Sequence, residues 1–286
     1  MSKLIKYCFA IVCVVGMALG TMSIFAHADS EEKAVIISYT EIPLYISGEY
    51  IGSGMKLDDI TYVPLLAFCE AMLQSECEVT WDQETGLVTI ETEELNLSLK
   101  ITDNYMIANE RYLYLPNGVY NINGTIIAPI REVVRIFGLD LEWDDENWVI
   151  TIDDASYEII ENGEAFYDEH ALYWLSRVIS SEAGNQPLEG MMGVGNVVLN
   201  RVASPEFAAS TVESVIFAPG QFAVVDTGAI NMTPRDKAII AAKLCLEGYS
   251  TVGDALFFHN PAISTTKWFE QNKTYCATIE DHEFFA

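Results

Sequence analysis

Basic residues are scarce in this chain of 286 residues. It has 15 lysines and arginines against 42 aspartates and glutamates, which gives a formal net charge of −27 at pH 7. Such a surface repels the phosphates of nucleic acids and the anionic headgroups of membranes. We therefore expect no nucleic-acid partner. An anionic substrate would have to be held by local hydrogen bonds and stacking.

Histidine and cysteine are scarce as well. The chain has four histidines and six cysteines, and none has the close spacing of a zinc or redox site. After residue 28 the histidines are His170, His259 and His282, which lie far apart in sequence. We therefore expect no metal and no other cofactor. The four cysteines of that part are either free thiols or two disulfides: Cys69 with Cys77 and Cys245 with Cys276.

Several well-known catalytic motifs are absent from the sequence. It contains no Gly-x-Ser-x-Gly, no glycine-rich phosphate-binding loop and no His-Glu-x-x-His. Cys245 lies inside a predicted helix, which is the profile of a packing residue rather than of a nucleophile. Carboxylate chemistry is the class of catalysis that remains.

The first 28 residues are typical of an export signal. Lys3 and Lys6 precede an apolar stretch, and Ala26-His27-Ala28 matches a small-x-small cleavage site. The apolar stretch approaches the ~20 residues that span a bilayer, so an uncleaved anchor is the alternative. Cleavage after residue 28 would remove two lysines and no acidic residue, which leaves 13 basic and 42 acidic residues and a net charge of −29. We expect no stable membrane insertion after such cleavage.

An internal repeat organises the first half, residues 30–154. Tyr62–Glu91 and Ile127–Asp153 each begin with an apolar-Pro-apolar triplet and continue as a short amphipathic helix, a turn and two strands. Pro64 and Pro129 suit the first turn of a helix, where the missing N–H costs nothing. The predicted unit is a helix plus a β-hairpin, present twice.

This half resembles the copper amine oxidase N-terminal-like domain, a small repeat domain of exported proteins. The resemblance rests on the proline, the helix, the Trp-Asp pair at Trp81 or Trp143, and the strand that follows. It does not imply copper, because the half has no histidine cluster. We expect a spacer or a module that contacts the cell wall.

A polar segment, residues 155–166, is predicted to link this half to a mainly helical second domain, residues 167–286. Pro187 begins its second helix, whose glycines at 190, 193 and 195 indicate close packing against a neighbour. A later short helix is predicted to begin at Ser210, with Glu213 completing a capping box.

Glu182 occupies a distinctive position in this second half. It follows Val178 and Ile179 by one turn, on the apolar face of a helix that ends at Gly184 and Asn185. Partial desolvation there would raise the pKa of the carboxyl toward neutrality, as a general acid requires. From spacing alone, an ordinary glutamate at a helix end remains the alternative.

The sequence around Glu182 is similar to the SleB/CwlJ family of cell-wall hydrolases, the spore-cortex-lytic enzymes and their relatives. The similarity covers nearly all of the second half through motifs in the family's order: Glu182-Ala183, Pro187, Glu189-Gly190, Val198-Leu199-Asn200-Arg201-Val202, Ser204-Pro205-x-Phe207, Val215-Ile216-Phe217, Gln221-Phe222, Phe257 to Ser264 and Lys267-Trp268. The chain departs from the family at Ser181 and at Gly184-Asn185-Gln186, where relatives often have Gly before the glutamate and Arg-Gly-Glu after the alanine.

The resemblance implies an α+β chain whose second domain is lysozyme-like and mainly α with a small β part. It also implies a secreted or wall-located enzyme, peptidoglycan glycan strands as substrate, and Glu182 as the catalytic acid. No second carboxylate near Glu182 is convincing, which favours lytic transglycosylation over hydrolysis by water. A non-catalytic wall-binding protein is a further alternative, and the sequence leaves open whether the substrate is spore cortex. The candidate sugar-binding residues are Gln221, Phe222, His259, Asn260 and Trp268.

Overall fold

The chain has an α+β architecture in two compact units. A computed structural model describes residues 21–24, 35–153, 157–264 and 267–286. Apart from residues 21–24, the predicted signal segment lies outside the described residues. The units are Met1–Asn162 and Gly163–Ala286, so the division falls within the predicted linker. In the described ranges, no helix has both the length and the apolar character needed to cross a membrane.

The N-terminal unit consists mainly of strands. The described residues of this unit contain two helices, α1, Leu65–Leu73, and α2, Ile130–Arg135. Its strands are β1 Thr21–Ile24, β2 Val35–Ser38, β3 Thr40–Ile46, β4 Glu49–Leu57, β5 Ile60–Pro64, β6 Glu78–Asp82, β7 Leu87–Glu91, β8 Asn96–Lys100, β9 Tyr105–Ala108, β10 Arg111–Tyr114, β11 Tyr120–Ile122, β12 Thr125–Pro129, β13 Leu141–Asp144 and β14 Val149–Ile152.

These strands form two larger sheets and one small pair. The seven-stranded sheet has the order β11-β12-β5-β4-β3-β14-β13, and the five-stranded sheet has the order β10-β9-β8-β7-β6. All described pairs are antiparallel except β14 with β3. Side chains from both sheets and from both helices share one apolar core around Phe68 and Phe137.

Both copies of the predicted repeat fold as a helix followed by a hairpin. α1 precedes the pair β6 and β7, and α2 precedes β13 and β14. The Asp of each Trp-Asp pair makes the hairpin turn: Asp82 Oδ1 accepts the backbone N–H groups of the residues two and three further on, and Asp144 Oδ1 does the same. This local hydrogen bonding explains why an aspartate recurs at that position.

Part of the predicted linker packs against the N-terminal unit. The backbone N–H of Ile160 donates to Ile136 at 2.8 Å, and Tyr157 stacks on Phe137. Gly138 is required there, because a Cβ on it would lie 2.7 Å from the carbonyl oxygen of Glu158. Apolar side chains and backbone hydrogen bonds thus hold this segment, although its composition is polar.

As far as the structure describes it, the C-terminal unit is mainly helical with one three-stranded sheet, in the order β15-β17-β16. Its elements are α3 Gly163–Phe166, α4 Glu169–Ala183, α5 Leu188–Ala203, α6 Val212–Ile216, α7 Ala223–Asp226, a 3-10 turn Ala229–Asn231, α8 Asp236–Leu246, β15 Phe257–His259, α9 Trp268–Asn272, β16 Tyr275–Ile279 and β17 His282–Phe285.

α5 is the central helix of this unit. It packs against α4, α6, α8 and β15, and every residue from Gly190 to Val198 is buried. A helix surrounded by partners on every side needs small residues where a neighbour approaches closely. A Cβ on Gly193 would lie 2.7 Å from Phe284, and one on Gly195 would lie 2.8 Å from the sulfur of Cys245. The close packing inferred from these glycines is confirmed.

The start of α6 differs from the prediction. The helix is capped by Thr211 rather than by Ser210. Thr211 Oγ1 accepts the N–H of Ser214 at 3.1 Å, and Ser214 Oγ accepts the N–H of Thr211 at 3.0 Å. The predicted box was wrong by one residue, because a serine hydroxyl closes it in place of the Glu213 carboxylate.

The structure also bears on the cysteines whose pairing the sequence left open. All four in the described residues are free thiols: Cys69, Cys77, Cys245 and Cys276.

Candidate active site

Glu182 lies half-buried in the last turn of α4. The apolar face that leads to it, including Val178 and Ile179, is buried as predicted. Burial raises the pKa of the Glu182 carboxyl, and a hydrogen bond from the backbone N–H of Val224 offsets part of that effect. The carboxyl therefore keeps its proton to a higher pH than an exposed glutamate, which suits a proton donor.

The turn after Glu182 is held by Arg235 and Ser180. The guanidinium of Arg235 donates to the carbonyl oxygen of Gly184, and its backbone N–H donates to Ser180 Oγ at 3.1 Å. Ser181 Oγ donates to the carbonyl oxygen of Ala229 at 3.2 Å. These bonds hold the end of α4, and with it the position of Glu182.

Gln186 explains one departure from the family pattern. It is buried, its amide N–H donates to the Asp281 carboxylate at 3.1 Å, and its amide oxygen accepts the backbone N–H of Asp281 at 3.4 Å. A glutamine can make both bonds, whereas a glutamate would place a second negative charge beside Asp281. The Gln186 side chain therefore suits Asp281 better than a glutamate would.

Glu182 faces a cleft of about 680 Å³. The cleft is lined by 16 described residues, and Glu182 is the one carboxylate among them. All five residues predicted from sequence to bind sugar also line it: Gln221, Phe222, His259, Asn260 and Trp268. The fold thus brings together residues that are up to 86 positions apart in the chain.

Arg201 supports one wall of the cleft, a role that the sequence analysis missed. Its guanidinium is buried, donates from Nε to the carbonyl oxygen of Leu256 at 2.7 Å, and donates from Nη1 to Gln221 Oε1 at 3.1 Å. Burial lowers the pKa of Arg201 to about 10, so the group stays charged at neutral pH. Arg201 thereby orients the oxygen of the exposed Gln221 side chain. The sequence motif that contains Arg201 gives no sign of this contact.

The other predicted residues differ in what they offer a ligand. Trp268 is 48% exposed and presents an aromatic face, whereas Phe222 is only 4% exposed and lies 5.3 Å from the Arg201 guanidinium. Phe222 is therefore chiefly a packing residue. Asn260 Oδ1 accepts the backbone N–H of Ala262 at 2.9 Å, which makes Asn260 part of a turn.

His259 lies beside two carboxylates that the sequence analysis did not connect with it. Its Nε2 is 3.5 Å from a carboxylate oxygen of Glu283 and 3.9 Å from one of Glu270. The three residues belong to β15, α9 and β17, so only the folded chain brings them together.

Two family models match the chain, one in each half. The model described as Cell Wall Hydrolase matches residues 185–285, and the model described as Copper amine oxidase N-terminal domain matches residues 28–152. The first range begins three residues after Glu182, so the match does not include that glutamate.

Similar proteins include spore cortex-lytic enzymes. Those of Bacillus cereus and Bacillus subtilis are 34% identical over 102 residues and 36% identical over 94 residues. The alignments cover 36% and 33% of this chain and 39% and 30% of the relatives, so the chain spans less than two-fifths of their length. The solved catalytic domain of the germination-specific lytic transglycosylase SleB from Bacillus anthracis is 31% identical, with a TM-score of 0.40, over 44% of this chain and 100% of that one. Both resemblances inferred from the motifs are confirmed: the C-terminal half resembles the cell-wall hydrolases, and the N-terminal half resembles the copper amine oxidase N-terminal domain.

Proposed function

We propose that this protein is an exported enzyme that cleaves the glycan strand of peptidoglycan as a lytic transglycosylase, with Glu182 as its catalytic residue. The observation that carries the proposal is a single half-buried carboxyl with a raised pKa in a cleft lined by no other carboxylate among the described residues. The spore cortex-lytic relatives support the wall glycan as the substrate class.

In the proposed reaction one carboxyl serves twice. Protonated Glu182 gives its proton to the glycosidic oxygen between N-acetylmuramic acid and N-acetylglucosamine, and the bond from that oxygen to the muramic C1 breaks. The muramic 6-hydroxyl then attacks C1, and its proton passes to the Glu182 carboxylate. The product carries a 1,6-anhydro ring, Glu182 regains its proton, and no water is consumed.

The cleft offers two kinds of contact for such a substrate. The Gln221 amide, held by Arg201, suits the N-acetyl and hydroxyl groups of a sugar. The exposed ring of Trp268 suits an apolar sugar face. Neither contact depends on attraction between opposite charges. This suits the substrate, because the chain has a net charge of −27 and the wall polymer is also anionic.

Hydrolysis by water is the second candidate reaction. Glycosidases that use water usually place two carboxyl groups ~5–9.5 Å apart across the scissile bond. The lining of this cleft argues against that arrangement, since Glu182 has no carboxylate companion there among the described residues. A protein that only binds the wall would not need a carboxyl with a raised pKa.

The test is Glu182→Gln, assayed by release of soluble muropeptides from purified cortex and from vegetative sacculi. General acid-base groups typically contribute ~10²–10⁴-fold to the rate, so we expect a loss of at least that size. The matched control is Glu189→Gln, which makes the same change in the first turn of α5 and should retain activity. Full activity of the Glu182→Gln protein would refute the proposed role, and comparing the two substrates decides between cortex and vegetative wall.

The location and the first domain belong to the same proposal. Residues 1–28 have the pattern of a cleavable signal, and the chain would act outside the cytoplasmic membrane, secreted or in the wall. The first domain, predicted at residues 30–154, would serve as a spacer or contact the wall.

A further inference from the structure

We propose that four side chains of the N-terminal unit form a second binding site for the cell wall, which takes a sugar ring together with a carboxylate: Lys56, Arg131, Trp143 and Trp148. This site rests on the wall substrate proposed above and gives the first domain a defined part in binding it. The two tryptophans belong to the second copy of the repeat, Ile127–Asp153.

Trp148 occupies a turn position that favours glycine. Its φ is +56°, in the left-handed region that bulky side chains rarely adopt. The first copy of the repeat has Gly86 at the matching position, with a φ of +68°. In both turns this residue donates its backbone N–H to the carbonyl oxygen of the aspartate of the Trp-Asp pair, at 2.8 and 2.9 Å. The turn therefore forms with glycine, and the tryptophan is present in spite of a conformational cost.

Trp148 does not fill a core that would offset this cost. It is 51% exposed, so about half of its surface remains in water. Its ring meets that of Trp143 edge to face at 5.9 Å, and Lys56 Nζ lies 5.2 Å from its centre. Residues in strained backbone conformations cluster at ligand sites, where contacts with the ligand use the position that the strain imposes. The exposed indole therefore indicates a binding role.

A cavity of about 280 Å³ lies beside this pair of rings. Trp143 lines it together with apolar side chains such as those of Ile130 and Leu141. Its charged lining consists of two cations and two carboxylates: Lys56, Arg131, Asp59 and Glu132. An apolar wall with a few convergent polar groups is the usual form of a site for a small ligand.

The two cations are unusual in this unit. Residues 35–153 contain five lysines and arginines against 21 aspartates and glutamates, and two of the five cations line this cavity. Among the residues that the structure describes, neither Lys56 nor Arg131 lies within ion-pair distance of a carboxylate. Both cations are therefore open to a carboxylate supplied by a ligand.

A glycan that carries carboxylates matches these groups. The exposed indole faces suit the apolar face of a sugar ring, and Asp59 can accept hydrogen bonds from its hydroxyls. The wall glycan has carboxylates from two sources, the lactyl group of muramic acid and the stem peptides. Because most of the surface is acidic and repels such a polymer, this cavity with balanced charges is where the unit can bind it.

The test is binding of the full chain to purified sacculi, measured by co-sedimentation. All chains carry Glu182→Gln to keep the polymer intact. Binding is thus measured apart from cleavage, and a failure of this site is distinct from a failure of the proposed reaction. Two linked binding sites gain ~10²–10⁴-fold over one, so we expect Trp148→Gly to weaken binding by at least about 10-fold. The matched control is Trp81→Ala, which removes an equally exposed tryptophan from the first copy and should leave binding unchanged.

Lys56→Gln tests the same site without altering the turn, and so guards against a folding defect in Trp148→Gly. It should also weaken binding, and the binding that remains should depend less on salt, because a contact between charges has been lost. If both variants bind sacculi as tightly as the Trp81→Ala chain, the site is wrong.

The nature of the ligand is tested with two further polymers. Sacculi stripped of stem peptides by an amidase keep the lactyl carboxylate, so retained binding assigns the contact to that group and lost binding assigns it to the peptide. Chitin is a neutral glycan without carboxylates, and the chain with an intact site should bind it more weakly than sacculi. Equal affinity for chitin would overturn the proposed recognition of a carboxylate.

Discussion

Arg201→Lys tests whether the buried guanidinium supports the cleft as its contacts suggest. Arginine makes two hydrogen bonds here, to the carbonyl oxygen of Leu256 and to Gln221 Oε1. A lysine keeps the charge, but its single ammonium is not a planar fork that can hold both acceptors in this geometry. Hydrogen bonds that involve a charged group contribute ~1.5–3 kcal/mol each, so the loss of one predicts a destabilisation of that size.

The contacts of the guanidinium with aromatic rings add to this loss. Its carbon lies 5.1–5.6 Å from the ring centres of three phenylalanines, and a compact ammonium lacks the planar face with which a guanidinium contacts aromatic rings. For a unit of this size, roughly 3–5 °C of melting temperature corresponds to 1 kcal/mol. We therefore expect the transition of the C-terminal unit to fall by roughly 5–15 °C.

Scanning calorimetry of the full chain measures this shift, and Arg235→Lys is the control. Arg235 also donates to a backbone carbonyl, that of Gly184, but it is exposed, so its replacement should cost less than about 1 kcal/mol. If Arg201→Lys melts within 1–2 °C of the unaltered protein, the argument from burial and paired acceptors is wrong. Activity provides a second readout, because a released Gln221 should raise KM more than it lowers kcat.

Two further predictions concern Glu182 and α5. Folding raises the pKa of the Glu182 carboxyl, so its contribution to stability is full below the ordinary glutamate pKa and is lost as the pH rises through the raised value. The stability of Glu182→Gln relative to the unaltered chain, measured by chemical denaturation, should therefore be greater at neutral pH than at acidic pH. Activity should likewise fall with rising pH at a higher pH than it would for an exposed glutamate. A fall of activity centred on the ordinary glutamate pKa would contradict the burial argument. Gly193→Ala should destabilise the C-terminal unit by about 1–2 kcal/mol, since overpacking against Phe284 at 2.7 Å exceeds the ~1 kcal/mol gained in helix propensity. Gly190→Ala, whose nearest contact would be 3.1 Å away, should cost less, and an equal cost would contradict the packing argument.

Local pattern predicted the elements that depend on neighbours in sequence. The apolar spacing that ends at Ile179 predicted the buried face of α4, and Pro64 and Pro129 marked the starts of two helices. These features were predictable because helix periodicity and proline geometry act within a few residues. The half-burial of Glu182 follows from the same periodicity.

Features that depend on distant contacts were not predictable in the same way. Arg201 lies in one of the motifs that carry the family resemblance, and that motif does not indicate its partners, Gln221 and the backbone of Leu256. The neighbours of His259 come from strand pairing and from a short helix that only the fold places nearby. The cap of α6 was misplaced because serine, threonine and glutamate there all offer oxygen atoms, and only the backbone geometry selects Thr211.

The central claim is that Glu182 directs bond cleavage without water, and the products test it most directly. Glycan strands digested by the unaltered chain in water enriched in heavy oxygen should end in 1,6-anhydro-muramic acid, one water lighter than hydrolytic products and free of the label. Mass spectrometry separates these outcomes. Reducing muramic ends that carry the heavy oxygen would show that water attacks the bond, and would contradict the single-carboxylate mechanism.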